Sequence, residues 1–374
     1  MLPDDGPARG CCGLAAAILF GLSSPLAKLL LLESDPVPLA ALLYLGAGIG
    51  LLLFERLVPG SRTASRFRHE TPVKREDAGL LLGILMTGGV LGPILLLIGL
   101  QRVSAVVGSL LLNLEALFTI LLAVSLFQEY LGRREVGAVF LIVIGAGVLS
   151  YQPDKFWTES LGAYAIAAAC LCWAIDNNLT QRLSLHDPIA IVRVKALGAG
   201  ACSLIIAFLL GQTIPFPPIL ITALAIGFLS HGISLVLDVH ALRLLGAARE
   251  AGVFAVAPFV GAVAAVPILG EHWTMKTTLA GLLMGFGVVL LLSERHAHHH
   301  VHDEMEQDHH HAHTDHHQHE EIEEVGPQRP HAHRHRHYSF AHDHLHVPEI
   351  HHRHEHQKVQ RKSRNEREKY SRGR

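Results

Sequence analysis

The sequence predicts an all-α integral membrane protein: ten transmembrane helices arranged as two inverted five-helix repeats, followed by a disordered cytoplasmic tail. Three observations predict it. Half of the 374 residues are hydrophobic and only 17% are charged, and the apolar ones gather into runs of about 18 residues or more, enough to cross about 30 Å of hydrocarbon. The first 293 residues match themselves when one half is laid on the other. From residue 294 the chain turns polar and rich in histidine.

Ten runs qualify as spans: 11–32, 37–54, 78–100, 104–127, 135–152, 160–181, 188–210, 217–239, 246–269 and 276–293. Backbone groups in lipid must be satisfied within their own segment, so each run is expected to be a helix. The first follows "MLPDDGPARG", acidic apart from Arg9, and exceeds a signal-peptide core, so it is read as a span rather than a cleaved leader. In the third, Gly88, Gly89, Gly92 and Pro93 should loosen the helix. Cys11, Cys12, Cys170, Cys172 and Cys202 form no CxxC pair and read as ordinary thiols. With the N-terminus inside, the cytoplasmic connections carry twelve Lys and Arg, against Arg102, Lys155 and Lys276 outside. The positive-inside rule then places both termini in the cytoplasm of a multi-pass protein of the cell membrane.

The halves are 11–152 and 160–293. At an offset of 153, "AAAILFGLSSPL" (15–26) meets "AACLCWAIDNNL" (168–179), with Ala15, Ala16 and Leu26 on identical residues. At an offset of 142, Leu100, Ala105, Ala123, Val124, Glu129, Leu141, Gly145 and Leu149 meet identical residues in the second half. Five spans is an odd number, so the second half inserts upside down, the architecture of alternating-access transporters with a site near the midplane.

Polar residues within the spans are the candidates for that site. Glu115 sits in the middle of "LLLNLEALFTILLAV", where an ionisable side chain is a functional-site hypothesis and a candidate proton carrier. On one continuous helix it shares about a 60° arc with Ser104, Gly108 and Thr119. The competing reading is a protonated side chain that only glues helices together. In the eighth span His231, Ser234 and Asp238 stack on one helical face; His231 could switch protonation, bind a metal, or simply pack. The offset of 142 lays His231 on Gly89 and Ser234 on Gly92, and loosened segments in corresponding places of two repeats point to a binding site. In the sixth span, "WAIDNNLTQ" puts Trp173 and Asn177 on one face and Asp176 with Thr180 on another. Asp176 is placed to pair with Arg193 or Lys195 as a structural bridge, or to act as a polar gate or an anchor for a charged substrate. Lys28 is expected to snorkel to the outer interface.

Two stretches, "NLEALFTILLAVSLFQEYL" and "VFAVAPFVGAVAAVPILGEHW", the aromatic-small pairs Phe20-Gly21 and Trp173-Ala174, and the span-ending Gln128-Glu129 and Gly270-Glu271 together resemble the EamA-type branch of the drug/metabolite transporter superfamily. The resemblance covers about 11–293. It implies ten spans, export of small organic compounds, and a cavity lined by the first, third, fourth, sixth, eighth and ninth helices. The chain departs from the pattern at Ala116, which stands opposite Pro258.

The tail, 294–374, holds 23 of the 28 histidines. Its low hydrophobicity argues for disorder. Imidazoles interleaved with Asp and Glu, without cysteine, suit Zn, Ni or Co ions; the densest candidates are His296, His298, His299, His300, His302, His309, His310, His311, His313, His316, His317 and His319. The closing "KVQRKSRNEREKYSRGR" is basic and could lie on anionic lipid.

The spans hold no nucleophile beside a base, no phosphate-binding loop and no Gly-rich nucleotide fingerprint, so no enzyme, no required cofactor and no nucleic-acid partner are expected. The sequence reads as a secondary-active, proton-coupled exporter of a small metabolite, with Glu115, Trp173, Asp176, Asn177, His231 and Ser234 in the transport site. A divalent-metal efflux transporter with the tail as collector or sensor is the alternative. A membrane-tethered metal buffer is a second one. Membrane lipid and a small-molecule or ion substrate are the expected partners, and oligomeric state is not legible.

Overall fold

Apolar runs become helices throughout the computed structural model, which describes residues 6–57, 78–127, 133–151, 156–180, 188–245 and 253–292, and in the tail 296–302, 305–311, 331–337 and 340–346. Six helices are long and apolar enough to cross a membrane: Cys11–Leu30, Pro36–Phe54, Ala78–Leu100, Ser160–Thr180, Ala190–Leu209 and Pro217–Asp238. Four shorter apolar helices, Ala105–Thr119, Val136–Ser150, Ala257–Leu269 and Met275–Leu290, fall where the other four spans are expected. Large apolar side chains such as Leu209, Leu282, Phe140 and Val263 lie exposed on the outside of the bundle, as lipid-facing residues of a membrane protein do.

The third and eighth helices are interrupted at matching places. Residues Leu85–Leu91 and Phe228–Ile233 are wound as π-helix, and the offset of 142 lays the first segment on residues 227–233. Such wide turns inside an α-helix gather at functional sites because they misalign the backbone ladder and free carbonyls. The loosening foreseen in the third helix from its glycines therefore occurs in both repeats.

The fourth span is broken rather than continuous, which corrects the single-wheel reading of Ser104, Gly108, Glu115 and Thr119. Helix Ala105–Leu111 stops, Leu112 and Asn113 form a tight turn, and helix Leu114–Phe127 follows. The physical cause is Asn113, whose amide Nδ2 donates to the Leu110 carbonyl (2.8 Å); a short polar side chain bonding its local backbone competes with the helical ladder. Ser104 now caps the first piece through Val107 N, and Gly108 packs on Leu100, so neither accompanies Glu115.

The two halves interlock. The second helix packs on the seventh, the fifth on the tenth, and the fourth on the ninth; the third and fourth pack on the sixth as the eighth and ninth pack on the first. Each contact is therefore matched by its counterpart under exchange of the halves. The second and eighth helices approach backbone to backbone, where a side chain on Gly46 would run into the Leu224 carbonyl and one on Gly227 into the Leu43 carbonyl. Small residues let membrane helices meet backbone to backbone. Gly46→Val and Gly227→Val should each lower stability by about 3 kcal/mol. Gly137→Val and Gly147→Val, which meet nothing within 4 Å, should not; thermal unfolding of purified protein checks the contrast.

In the tail, His296–His302 pairs antiparallel with Phe340–His346, and Met305–His311 with His331–His337. This differs from the expectation of a tail without regular structure. In His331–His337 and Phe340–His346 histidine alternates with other residues, the two-residue period of a strand, whereas Met305–His311 ends in three consecutive histidines. His313, His316, His317 and His319 lie outside the described residues, as do Gln128-Glu129 and the connections 58–77, 181–187 and 246–252 that carry most of the positive charge used to orient the chain.

Candidate transport site

Between the halves, the π-helical turn of the third helix, the broken fourth helix and the sixth helix bring the polar candidates together. The carbonyl of Gly88, within the π segment, accepts hydrogen bonds from the Tyr44 hydroxyl (2.8 Å) and from Trp173 Nε1 (3.0 Å). Glycine at 88 and 92 is required by closeness: a side chain at 88 would enter the Asp176 carboxylate, and one at 92 would lie 2.8 Å from Trp173 Nε1.

One turn beyond Trp173, Asn177 Nδ2 donates to Glu115 Oε1 at 2.7 Å. Glu115 belongs to the first half and Asn177 to the second, so this bond crosses the boundary between them. Glu115 is half-buried and Asn177 exposed. The hydroxyl of Thr119, one turn after Glu115, is buried with no hydrogen-bond partner. Asn178 is turned inward, donating to Ala174 O at 2.8 Å.

Lys195, one of the two cations proposed for Asp176, pairs with it. Both side chains are nearly buried, at 13% exposure for Lys195 and 6% for Asp176, and Thr180 Oγ1 lies 3.5 Å from the other carboxylate oxygen. A charge buried at this depth is tolerable only with such a partner.

His231 is buried in the π segment of the eighth helix. Its ring faces Tyr44 (centroids 5.3 Å) and Phe20 (6.0 Å), Phe20 in turn packs on Phe254 (5.3 Å), and Ser230 Oγ lies 2.9 Å from His231 Nδ1. Ser234 departs from the sequence expectation: it donates to the Ala16 carbonyl of the first helix (2.8 Å) and belongs to packing. His231 lies in the π segment and Ser234 and Asp238 in the α-helix that follows it, so the wider turn sits between His231 and the other two. Lys28 also differs from its expected snorkelling, donating to the carbonyls of Leu100 and Val103 (2.6 Å to the latter) and so capping the end of the third helix.

Tyr44 was missed by the sequence reading. Its signal was available: it is the only side chain with a hydrogen-bonding group in the apolar run 37–54. Among the described residues no three His, Cys, Asp or Glu side chains gather as a metal site. His231 stands among the aromatic rings of Phe20 and Tyr44.

Two segments of the chain, residues 10–151 and 160–293, match the EamA-like transporter family. The chain belongs to that family. An uncharacterized transporter of Methanothermobacter thermautotrophicus is 33% identical over 290 residues, 74% of this chain and 84% of its own length. A solved crystal structure, 20% identical and covering 76% of this chain and 96% of that one, superposes with a TM-score of 0.54 and so shares the fold. This EamA-like protein is therefore a multi-pass membrane transporter, in a family of transporters rather than enzymes.

Proposed function

We propose that this EamA-like chain is a secondary-active exporter of a small metabolite, driven by proton exchange on Glu115. In this reading it has ten spans in two inverted five-helix repeats, and both termini are cytoplasmic. The observation that carries it is the 2.7 Å bond from Asn177 to Glu115 across the boundary between the halves. Rocking of one half against the other must stretch that bond, and a carboxyl losing its donor takes up a proton or a substrate donor instead. Trp173, Tyr44, Phe20 and His231 supply the apolar and aromatic walls, while Asp176 and Lys195 cancel each other's charge beside them.

A second reading, efflux of a divalent transition metal, is favoured by the 23 histidines after residue 293, which would collect Zn, Ni or Co ions for the membrane portion. Inverted vesicles under an imposed proton gradient distinguish the two. Full-length protein is run beside a truncation after Ser293, with Ni, Co and Zn in one series and a panel of amino acids and amines in the other. Metabolite uptake that collapses with a protonophore and survives truncation supports the leading reading. Metal uptake that falls on truncation would replace it. Metal retention without flux in any series would leave a membrane-tethered metal buffer.

A further inference from the structure

Glu271 ends a span of the second half as Glu129 ends one of the first, and the transport site uses neither. Gly270 closes the helix Ala257–Leu269 in the left-handed conformation, at φ 65° and ψ 23°. Such a turn reverses the chain, and it sends Glu271 across to the other half. There both carboxylate oxygens accept from consecutive backbone N–H groups at the start of the fourth span, Ala105 at 2.6 Å and Val106 at 2.8 Å. Ser104 accepts from the next, Val107. A helix cap usually comes from the residue just before its own helix and moves with it. Glu271 is instead 165 residues or more away in sequence, on the opposite half.

The same end of the bundle is drawn together elsewhere. Lys28 ties the first span to the carbonyls ending the third. A side chain on Gly261 would lie 2.6 Å from the Gly21 carbonyl and 2.8 Å from the Ser109 hydroxyl, so the first, fourth and ninth spans meet without room between them. Ser109 is fully buried and its hydroxyl has no partner.

We propose that Glu271 is the latch of the outer gate, holding the fourth span to the ninth while that end is shut and releasing it when the end opens. The inference rests on the alternating-access reading above. Bonds to an ionised acceptor are stronger than neutral ones, which suits a latch. The N–H groups it holds are those of a helix start, which water satisfies when they are uncovered, so release strands no polar group. Glu271 is a positioning residue and touches no substrate.

The test reads access and requires no substrate. Full-length protein carrying Ser109→Cys, in right-side-out vesicles, is treated with a membrane-impermeant maleimide, and modification of residue 109 is followed by peptide mass spectrometry, which separates it from the native thiols. Adding Glu271→Gln should accelerate its labelling about tenfold, as expected when a minor open state becomes the main one. Adding Ala105→Pro instead should accelerate it too, since proline at the first helical position keeps the helix but deletes one of the two N–H groups that Glu271 holds. Glu33→Gln, a charge change at the same end, should leave the rate unaltered. Unchanged labelling in the Glu271 and Ala105 variants, both inserted at wild-type level, overturns the latch whatever the flux. Should Glu271→Gln fail to insert, Ala105→Pro decides. Accelerated labelling in a protein that moves no metabolite would sustain the latch and count against the proposed substrate instead.

Discussion

Glu115→Gln should cut proton-driven flux by about a hundredfold, the lower range for removing a positioned proton-transfer group, while leaving the folded protein intact. Glutamine has the same length and keeps an amide oxygen to accept from Asn177, so the 2.7 Å contact across the halves can persist. What it cannot do is exchange a proton. Thermal unfolding of the variant should match wild type, and counter-flow exchange, which needs binding and rocking but no net proton movement, should survive better than gradient-driven uptake. Glu115→Asp should retain measurable coupling at reduced rate, its shorter side chain falling away from Asn177. Full gradient-driven flux in a correctly inserted Glu115→Gln protein would show that the carboxyl only glues helices together, and the proton route would have to be sought elsewhere.

The second large effect concerns stability. Removing one partner of a buried ion pair typically costs about 3–5 kcal/mol because the other charge is stranded. Asp176 and Lys195 are both nearly buried, with Asp176 pressed against the backbone at Gly88. Asp176→Asn and Lys195→Met should each lower the unfolding temperature markedly in detergent. The double variant should recover most of the loss, since replacing both charges is often close to neutral. Flux in the double variant then separates a structural role from the transport roles left open in the sequence. Wild-type transport makes the pair a structural bridge, whereas loss of transport in a stable double variant makes it a polar gate or an anchor for a charged substrate. Equal destabilisation in single and double variants would mean that the two side chains do not act as a pair.

Much of this site was legible in the chain. Glu115, Asp176 and Asn177 stood out because a polar side chain amid apolar ones is costly in lipid, and the internal offset pointed at the third and eighth helices together. Three things were not legible. Periodicity assumes a regular helix, so the turn at Leu112–Asn113 and the two π segments displaced Gly108 and Ser234 from the faces assigned to them. Tyr44 was passed over because one hydroxyl in an apolar run looks like packing until its acceptor is known. Glu271 was noticed only as a span-ending residue, since its partners lie in the other half.

By itself the sequence determined the membrane class, the twofold internal repetition and the short set of polar residues worth testing. These depend on the hydropathy of windows and on residue identity, which are local properties. Only the tertiary structure decided that Lys195 meets Asp176, that Asn177 reaches Glu115, that Gly88 serves as the shared acceptor for Tyr44 and Trp173, and that Glu271 spans to Ala105. Each joins residues of different helices, and nothing in one helix's sequence specifies which turn of its neighbour it will face. That follows from how closely the glycines let the backbones approach and where the helical ladder is broken.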